Sequence, residues 1–296
     1  MKDHALLQLA FGALSPRRID SLVVRHGSIQ SAVAAVTGRA TNVPAIACDA
    51  IGVPFDVREA ELADLGVAFL SSDDPRFPSL LGTVDGGPRW LFVDGDLPQG
   101  PSIGIVGSRS CTAYGLELAE AYGLVAARLG WNVVSGLARG IDAAAHRGAL
   151  HAGKPDEGSG RCVGVLGCGI DVVYPRENRL LFHKVIDGGG AILSEFPPGT
   201  RPDAWRFPTR NRIIAGLSDV VLVVEASARG GALITARIAL DYGVPVYAVP
   251  GDVDRRTSVG TNALIRDGAF PIFGPDDLAT VLDLLRPVID RNAVGV

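Results

Sequence analysis

The stretch Ile103-Gly104-Ile105-Val106-Gly107-Ser108-Arg109-Ser110, IGIVGSRS, is where the fold is decided. A short apolar run rich in β-branched residues reads as a strand covered on both faces, and the glycine after it as a tight turn. A dinucleotide-binding fingerprint begins the same way. This stretch then departs from that fingerprint. Its glycines fall at 104, 107 and 115, Gly104 lies within the strand, and Arg109 stands where close approach of a pyrophosphate needs a small residue. The acid expected about 20 residues on, at the end of the next strand, is missing. That strand ends in Val134-Ser135-Gly136. No cofactor is therefore expected, and a Walker-type phosphate loop has no match in the chain.

The same pattern repeats outward along the chain. Strand-length apolar runs recur at 131–136, 162–167, 191–196, 220–226 and 245–251, with a shorter one at 269–273. Helix-length segments separate them. In one, Leu118, Ala119, Tyr122, Val125, Ala126 and Leu129 share a face; another ends on Gly243 just before Pro245. Repeated strand and helix alternation predicts an α/β fold with an extended Rossmann-like doubly wound sheet, mostly parallel. The first hundred residues differ. They read as short helices broken at Ser15-Pro16 and Gly27-Ser28, then a connector over 71–101 carrying five prolines (Pro75, Pro78, Pro88, Pro98, Pro101). The polar, glycine-rich stretch 153–160 reads as an exposed loop. The expected plan is a small helical, helix-hairpin-type domain over 1–68, whose arginines and glycines suit contact with nucleic acid and equally protein docking or packing alone, a Rossmann-like domain over 69–286, and a tail over 287–296 too short to form a further domain.

In such sheets ligands bind beyond the carboxyl ends of the strands. Every strand here is followed there by arginine: Arg109, Arg139 before Gly140, the run CGIDVVYPRENR (168–179), then Arg201, Arg206, Arg210 and Arg212 in a long loop, Arg229 before Gly230-Gly231, and Arg255-Arg256. Of the 28 basic residues only Lys2, Lys154 and Lys184 are lysine. GC-rich coding is the plain explanation, but arginine is also the better bidentate partner for phosphate. Gly107, Ser108 and Arg109 offer backbone N–H groups, a hydroxyl and a guanidinium, a set suited to one phosphate. A row of such seats fits a polymer better than a small ligand. Trp205 and Phe207 among the later arginines add the flat rings that unstacked bases need, although both would also serve to anchor a loop.

Other chemistries weigh less. Glu195 and Glu225 at strand ends suit an acid/base pair in a nucleotide-binding or nucleotide-cleaving enzyme, or carboxylates that orient rim arginines. Asp142 and His146, at i and i+4, read as a helix-start acid and its neighbour. Cys111 reads as a small packing residue, with an activated thiolate the sharper alternative. The net charge of −4 argues against a generally adhesive nucleic-acid binder. No apolar run approaches the ~18 residues of a membrane span, and the N-terminus reads as a helix rather than a signal peptide. The four cysteines (Cys48, Cys111, Cys162, Cys168) contain no Cys-x-x-Cys pair, so no metal is expected and a reducing cytoplasm is the expected location.

Several long motifs, in order, resemble the DNA-processing protein A family (DprA, also called Smf): GIVGSRSCTAYG, VVSGLARGIDAAAHRGAL, VLGCGIDVVYPREN, LSEFPPGTRP, FPTRNRIIAGLSDVVLVVEA, GALITARIALDYG and VPGDVDRRTSVGTNALIRDGA. The likeness is close over about residues 70–270. It implies a sterile-alpha-motif-like helical domain before the Rossmann-like fold. It also implies a homodimeric, non-enzymatic protein that binds incoming single-stranded DNA in natural transformation and recombination, protects it, and helps load the RecA recombinase. On this chain the phosphate seat would be Gly107, Ser108 and Arg109. Arg139 and Gly140 stand beside it, Phe207, Arg210, Asn211 and Arg212 come from the basic loop, and Arg229, Gly230 and Gly231 from the glycine-rich turn. The winged-helix domain of some members is not expected here.

Overall fold

The runs Ser102–Val106, Asn132–Ser135, Cys162–Leu166, Ala191–Ser194 and Val220–Val223 are buried at every residue. Near-continuous apolarity without alternation is what a parallel strand between two helical layers requires, and each folds as a strand. The computed structural model describes residues 4–153 and 158–293. Residues 154–157 of the expected loop at 153–160, and the ends of the chain, lie outside the described residues.

Two compact units form: Met1–Asp94 with Gly167–Val172 and Leu193–Asp203, and Gly95–Leu166 with Val173–Ile192 and Ala204–Val296. The first opens with five helices, α1 (His4–Ala10), α2 (Pro16–His26), α3 (Ile29–Thr37), α4 (Ala45–Ile51) and α5 (Phe55–Asp64). The breaks fall at Ser15-Pro16 and Gly27-Ser28, as the sequence predicts. Leu9, Leu22, Ala32, Val36, Ala47 and Ile51 form the core of this helical part. Then follow β1 (Val67–Ser71), α6 (Ser79–Thr83) and β2 (Trp90–Gly95), with β1 and β2 antiparallel and Phe69 opposite Phe92. The connector expected over 71–101 is therefore corrected. Its prolines and glycines punctuate a strand pair rather than an extended link, because Trp90-Leu91-Phe92-Val93 is apolar enough to be buried entirely.

The remaining elements are β3 (Ser102–Val106), α7 (Ala113–Arg128), β4 (Asn132–Ser135), α8 (Ile141–Leu150), β5 (Cys162–Leu166), α9 (Arg179–Asp187), β6 (Ala191–Ser194), α10 (Arg206–Gly216), β7 (Val220–Val223), α11 (Gly231–Asp241), β8 (Val246–Ala248), α12 (Val259–Arg266), β9 (Phe270–Pro271) and α13 (Pro275–Ala293). Within the second unit the strands follow the order β5-β4-β3-β7-β8-β9. Pairing is parallel from β5 through β4, β3, β7 and β8 to β9, with Gly104 opposite both Val134 and Val221. The mostly parallel Rossmann-like fold is thus observed. Helices α13, α7, α8 and α9 adjoin in that order, and α10 packs on α11. The chain leaves β3 toward β4 on one side and later returns to place β7 on the other. The carboxyl ends of β3 and β7 are consequently the topological switch point, where such sheets leave a crevice. Among the described residues no helix is long and apolar enough to cross a membrane.

Candidate nucleic-acid interface

The turn after β3 is built by its neighbours. A Cβ on Gly107 would lie 2.5 Å from the Ile141 side chain, so the strand can end against the start of α8 only without one. The Ser108 N–H donates to the Glu225 carbonyl beyond β7 at 2.8 Å, and the Ser110 N–H donates to Ser108 Oγ at 3.1 Å. Thr112 then caps α7, its Oγ1 accepting the Gly115 N–H at 3.0 Å. The Thr112 N–H and hydroxyl both donate to the Glu225 carboxylate. From the other side, the Ile141 N–H donates to the Ser108 carbonyl at 3.3 Å. Gly140, at φ 74°, passes so close that a Cβ there would be 2.3 Å from the same carbonyl oxygen. The loops after β3, β4 and β7 are therefore one clasped structure with Ser108 at its centre.

Arg109 projects from this clasp into solvent. Its guanidinium lies 4.6 Å from the centre of the Phe207 ring, which is in turn 5.5 Å from the Tyr174 ring. A cation and two flat rings adjoin the clasped turn at the switch point, where the Ser108 and Ser110 N–H groups are already donated within the clasp. In the loop after β4, Leu137 adopts φ 52°, outside its ordinary range. Asn178, in a 3₁₀ turn over Arg176–Asn178, donates to the carbonyls of Leu137 at 2.9 Å and Ala138 at 3.3 Å and secures that conformation. Arg139 is exposed and ion-paired with Glu177 of the same 3₁₀ turn. The pairing holds the Glu177 carboxyl below its ordinary pKa.

A buried polar layer lies beneath. Asp142 accepts the Gly136 N–H at 3.1 Å. Burial pushes its carboxyl upward, opposed by the guanidiniums of Arg210 and Arg109 and by the N–H groups of Ala138 and Gly136. Arg210 is 4% exposed; Nη1 donates to the carbonyls of Gly136, at 2.9 Å, and Val165. Asn211 donates to the Gly231 carbonyl at 3.2 Å, tying α10 to the start of α11. His146 is fully buried, which lowers its pKa to about 4.

Two expectations of the sequence are corrected at this site. The segment carrying Phe207, Arg210, Asn211 and Arg212 is not a loop: α10 begins at Arg206. Pro208 sits in its first turn, where a missing N–H costs nothing. And Arg210, Asn211 and Arg212 are buried, whereas Arg109, Arg139 and Arg229 are exposed. Gly230 and Gly231 open α11. Trp205 is partly exposed beside Arg206, 5.0 Å from its guanidinium. Glu225 has both carboxylate oxygens engaged by Thr112. Glu195 is buried, with its carbonyl accepting the indole N–H of Trp90 at 2.9 Å. Cys111 is half-buried, and burial followed by the Glu225 charge raises its thiol pKa, the opposite of activation. Tyr174, Glu177 and Asn178, in the run after β5, are site residues that local sequence pattern does not mark out. The available signal was an aromatic and an Asn in a strand-end loop.

The family model described as DNA recombination-mediator protein A matches residues 68–283. The chain is 40% identical over 230 residues to Protein Smf of Synechocystis sp., covering 76% of this chain and 56% of that protein. It is 39% identical over 222 residues to DNA processing protein DprA of Bacillus subtilis, covering 74% and 72%. The chain thus spans little more than half the length of the first of these relatives. Among solved structures, DNA processing protein A of Streptococcus pneumoniae superposes with a TM-score of 0.75 at 30% identity, covering 95% of this chain and 98% of that one. DNA processing protein A of Helicobacter pylori, solved to describe its single-stranded DNA binding mode, gives 0.64 at 28% identity, covering 73% and 95%.

Proposed function

Because the chain belongs to the DNA recombination-mediator protein A family, we propose that it binds single-stranded DNA at the clasped strand-end rim of its sheet. The observation that carries this reading is the exposed Arg109, set over Phe207, whose ring adjoins that of Tyr174, at the topological switch point. Single-strand binding combines charge for the backbone with rings for unstacked bases, and here the Arg109 guanidinium and the Phe207 ring are in contact. Gly107, Ser108 and Arg109 seat one phosphate. Arg139 and Arg229, exposed at neighbouring strand ends, supply charge for the next ones. Gly140, Gly230 and Gly231 keep the backbone close to the strand, and Phe207 stacks on a base. Arg210, Asn211 and Arg212 belong to the site as positioning residues, since burial keeps them from the solvent face.

Binding needs no chemistry from these groups, and the protein acts without catalysis. In this reading it works as a homodimer in the cytoplasm, protects incoming strands during natural transformation, and helps load the RecA recombinase. The domain plan of 1–68 and 69–286 belongs to the same proposal. An electrophoretic titration at moderate salt tests it, with single-stranded and duplex oligonucleotides and Arg109→Ala beside the wild type. Wild type should prefer the single strand. Arg109→Ala should weaken strand binding whatever the sequence, and lower the slope of log K against log salt by about 0.7, one phosphate contact. Strand binding equal to wild type in that variant would falsify the seat.

A further inference from the structure

A second concentration of arginine lies in the first unit, on α2. Ile19 and Leu22 turn one face of that helix into the core, while Arg17 and Arg25 are exposed. With Arg18, Ser15, Ser21 and Asn42 they line a groove of about 440 Å³ whose lining, among the described residues, includes no carboxylate. Among the described residues, the acids on either side of this segment in sequence are engaged elsewhere. Asp20 pairs with Arg89 at 2.9 Å, and Asp49 with Arg39 at 2.6 Å. Arg18 is fixed across the groove by Nη2, which donates to the Asn42 carbonyl at 2.6 Å and to its Oδ1 at 2.9 Å. Arg17 and Arg25 form no ion pair among the described residues. Two turns of helix separate them, about 12 Å at 1.5 Å per residue.

Helix stability does not account for these arginines. Arg25 in the last turn is favoured by the helix dipole, but Arg17 and Arg18 stand in the first turn, where a carboxylate would stabilise and a cation does not. An anion bound in the groove reverses that sign. The groove lining contains no aromatic side chain. It therefore offers charge to a phosphate backbone and nothing on which an unstacked base could lie, unlike a single-strand site.

We propose that this groove is a second nucleic-acid contact, one that takes the phosphate backbone of duplex DNA. It is separate from the rim at Arg109 and does not depend on that reading. The test uses the full chain and fluorescence anisotropy at low salt, with a 20-base-pair duplex and a 20-nucleotide strand. Arg17→Ala/Arg25→Ala should weaken duplex binding about tenfold, flatten its salt slope by about 2, and leave strand binding unchanged. Arg17→Lys/Arg25→Lys should retain duplex binding, because a backbone phosphate accepts a point charge, and it guards against a folding artefact. Arg109→Ala should do the converse, weakening the strand and sparing the duplex. The proposal is overturned if wild type does not bind the duplex, or if the alanine pair binds it as tightly as wild type. It is also overturned if that pair loses the strand instead, or if the lysine pair fails as badly as the alanine pair.

Discussion

Arg139 and Arg210 are the same residue type at the same rim, and their surroundings put them to opposite uses. Arg210 is packed under the loops, with Nη1 bound to the carbonyls of Gly136 and Val165. Arg139 is exposed, but in the free protein its guanidinium already has a partner, Glu177. A strand phosphate at Arg139 must displace that carboxylate, which also repels the incoming charge. Glu177→Gln should therefore tighten single-strand binding a few-fold, chiefly through faster association, and the gain should fade as salt screens the rim. Stopped-flow association at two salt concentrations checks this. An unchanged rate at low salt would show that Glu177 does not compete. Which arginine would be buried was not legible in the sequence, because burial depends on the helix that carries the residue and on what that helix covers.

At the scale of elements, the site is a set of strand-end turns held to one another through backbone groups. Gly140 is one tight point of contact, at φ 74° with the Ser108 carbonyl where a Cβ would be. Gly140→Ala removes no charge and no ring. It should nonetheless destabilise the fold by about 1–3 kcal/mol and weaken strand binding by displacing the Arg109 turn. A thermal melt combined with a binding titration measures both. A variant with unaltered affinity would mean that the clasp does not position Arg109. The strand, turn and helix succession was legible throughout the parallel sheet, because a strand buried on both faces leaves a local mark in the sequence. The start of α10 and the β1–β2 pair were not. Pro208 and a dense polar run read locally as loop, and the prolines of 71–101 read as a connector; burial of Ile213 and Ile214, and of Leu91 and Phe92, decides otherwise.

For the molecule as a whole, stability carries the imprint of the buried layer beneath the rim. His146 is held neutral with a pKa of about 4, against an ordinary 6.5. Between those values the unfolded chain takes up a proton that the folded chain refuses, so stability falls as pH drops through the window, by up to about 3 kcal/mol. Denaturant midpoints from pH 7 to pH 4 should show this loss in wild type and a shallower one in His146→Gln. Parallel curves would place the pH dependence in other groups. The net charge of −4 likewise describes the whole chain and misdescribes its surfaces. Exposed arginines stand at several strand ends (Arg109, Arg139, Arg229) and on α2 (Arg17, Arg25), so salt-sensitive binding is expected of an acidic protein.

By itself, the sequence determined the parallel strands, the turns that follow most of them, the family motifs, and the candidate phosphate seat at Gly107-Ser108-Arg109. All of these follow from patterns confined to a few consecutive residues. The tertiary structure alone decided which arginines face solvent, that Glu225 braces the start of α7, and that Tyr174, Glu177 and Asn178 join residues distant in sequence at the same rim. Those relations depend on which segments the parallel order of strands brings side by side, and no local periodicity encodes that.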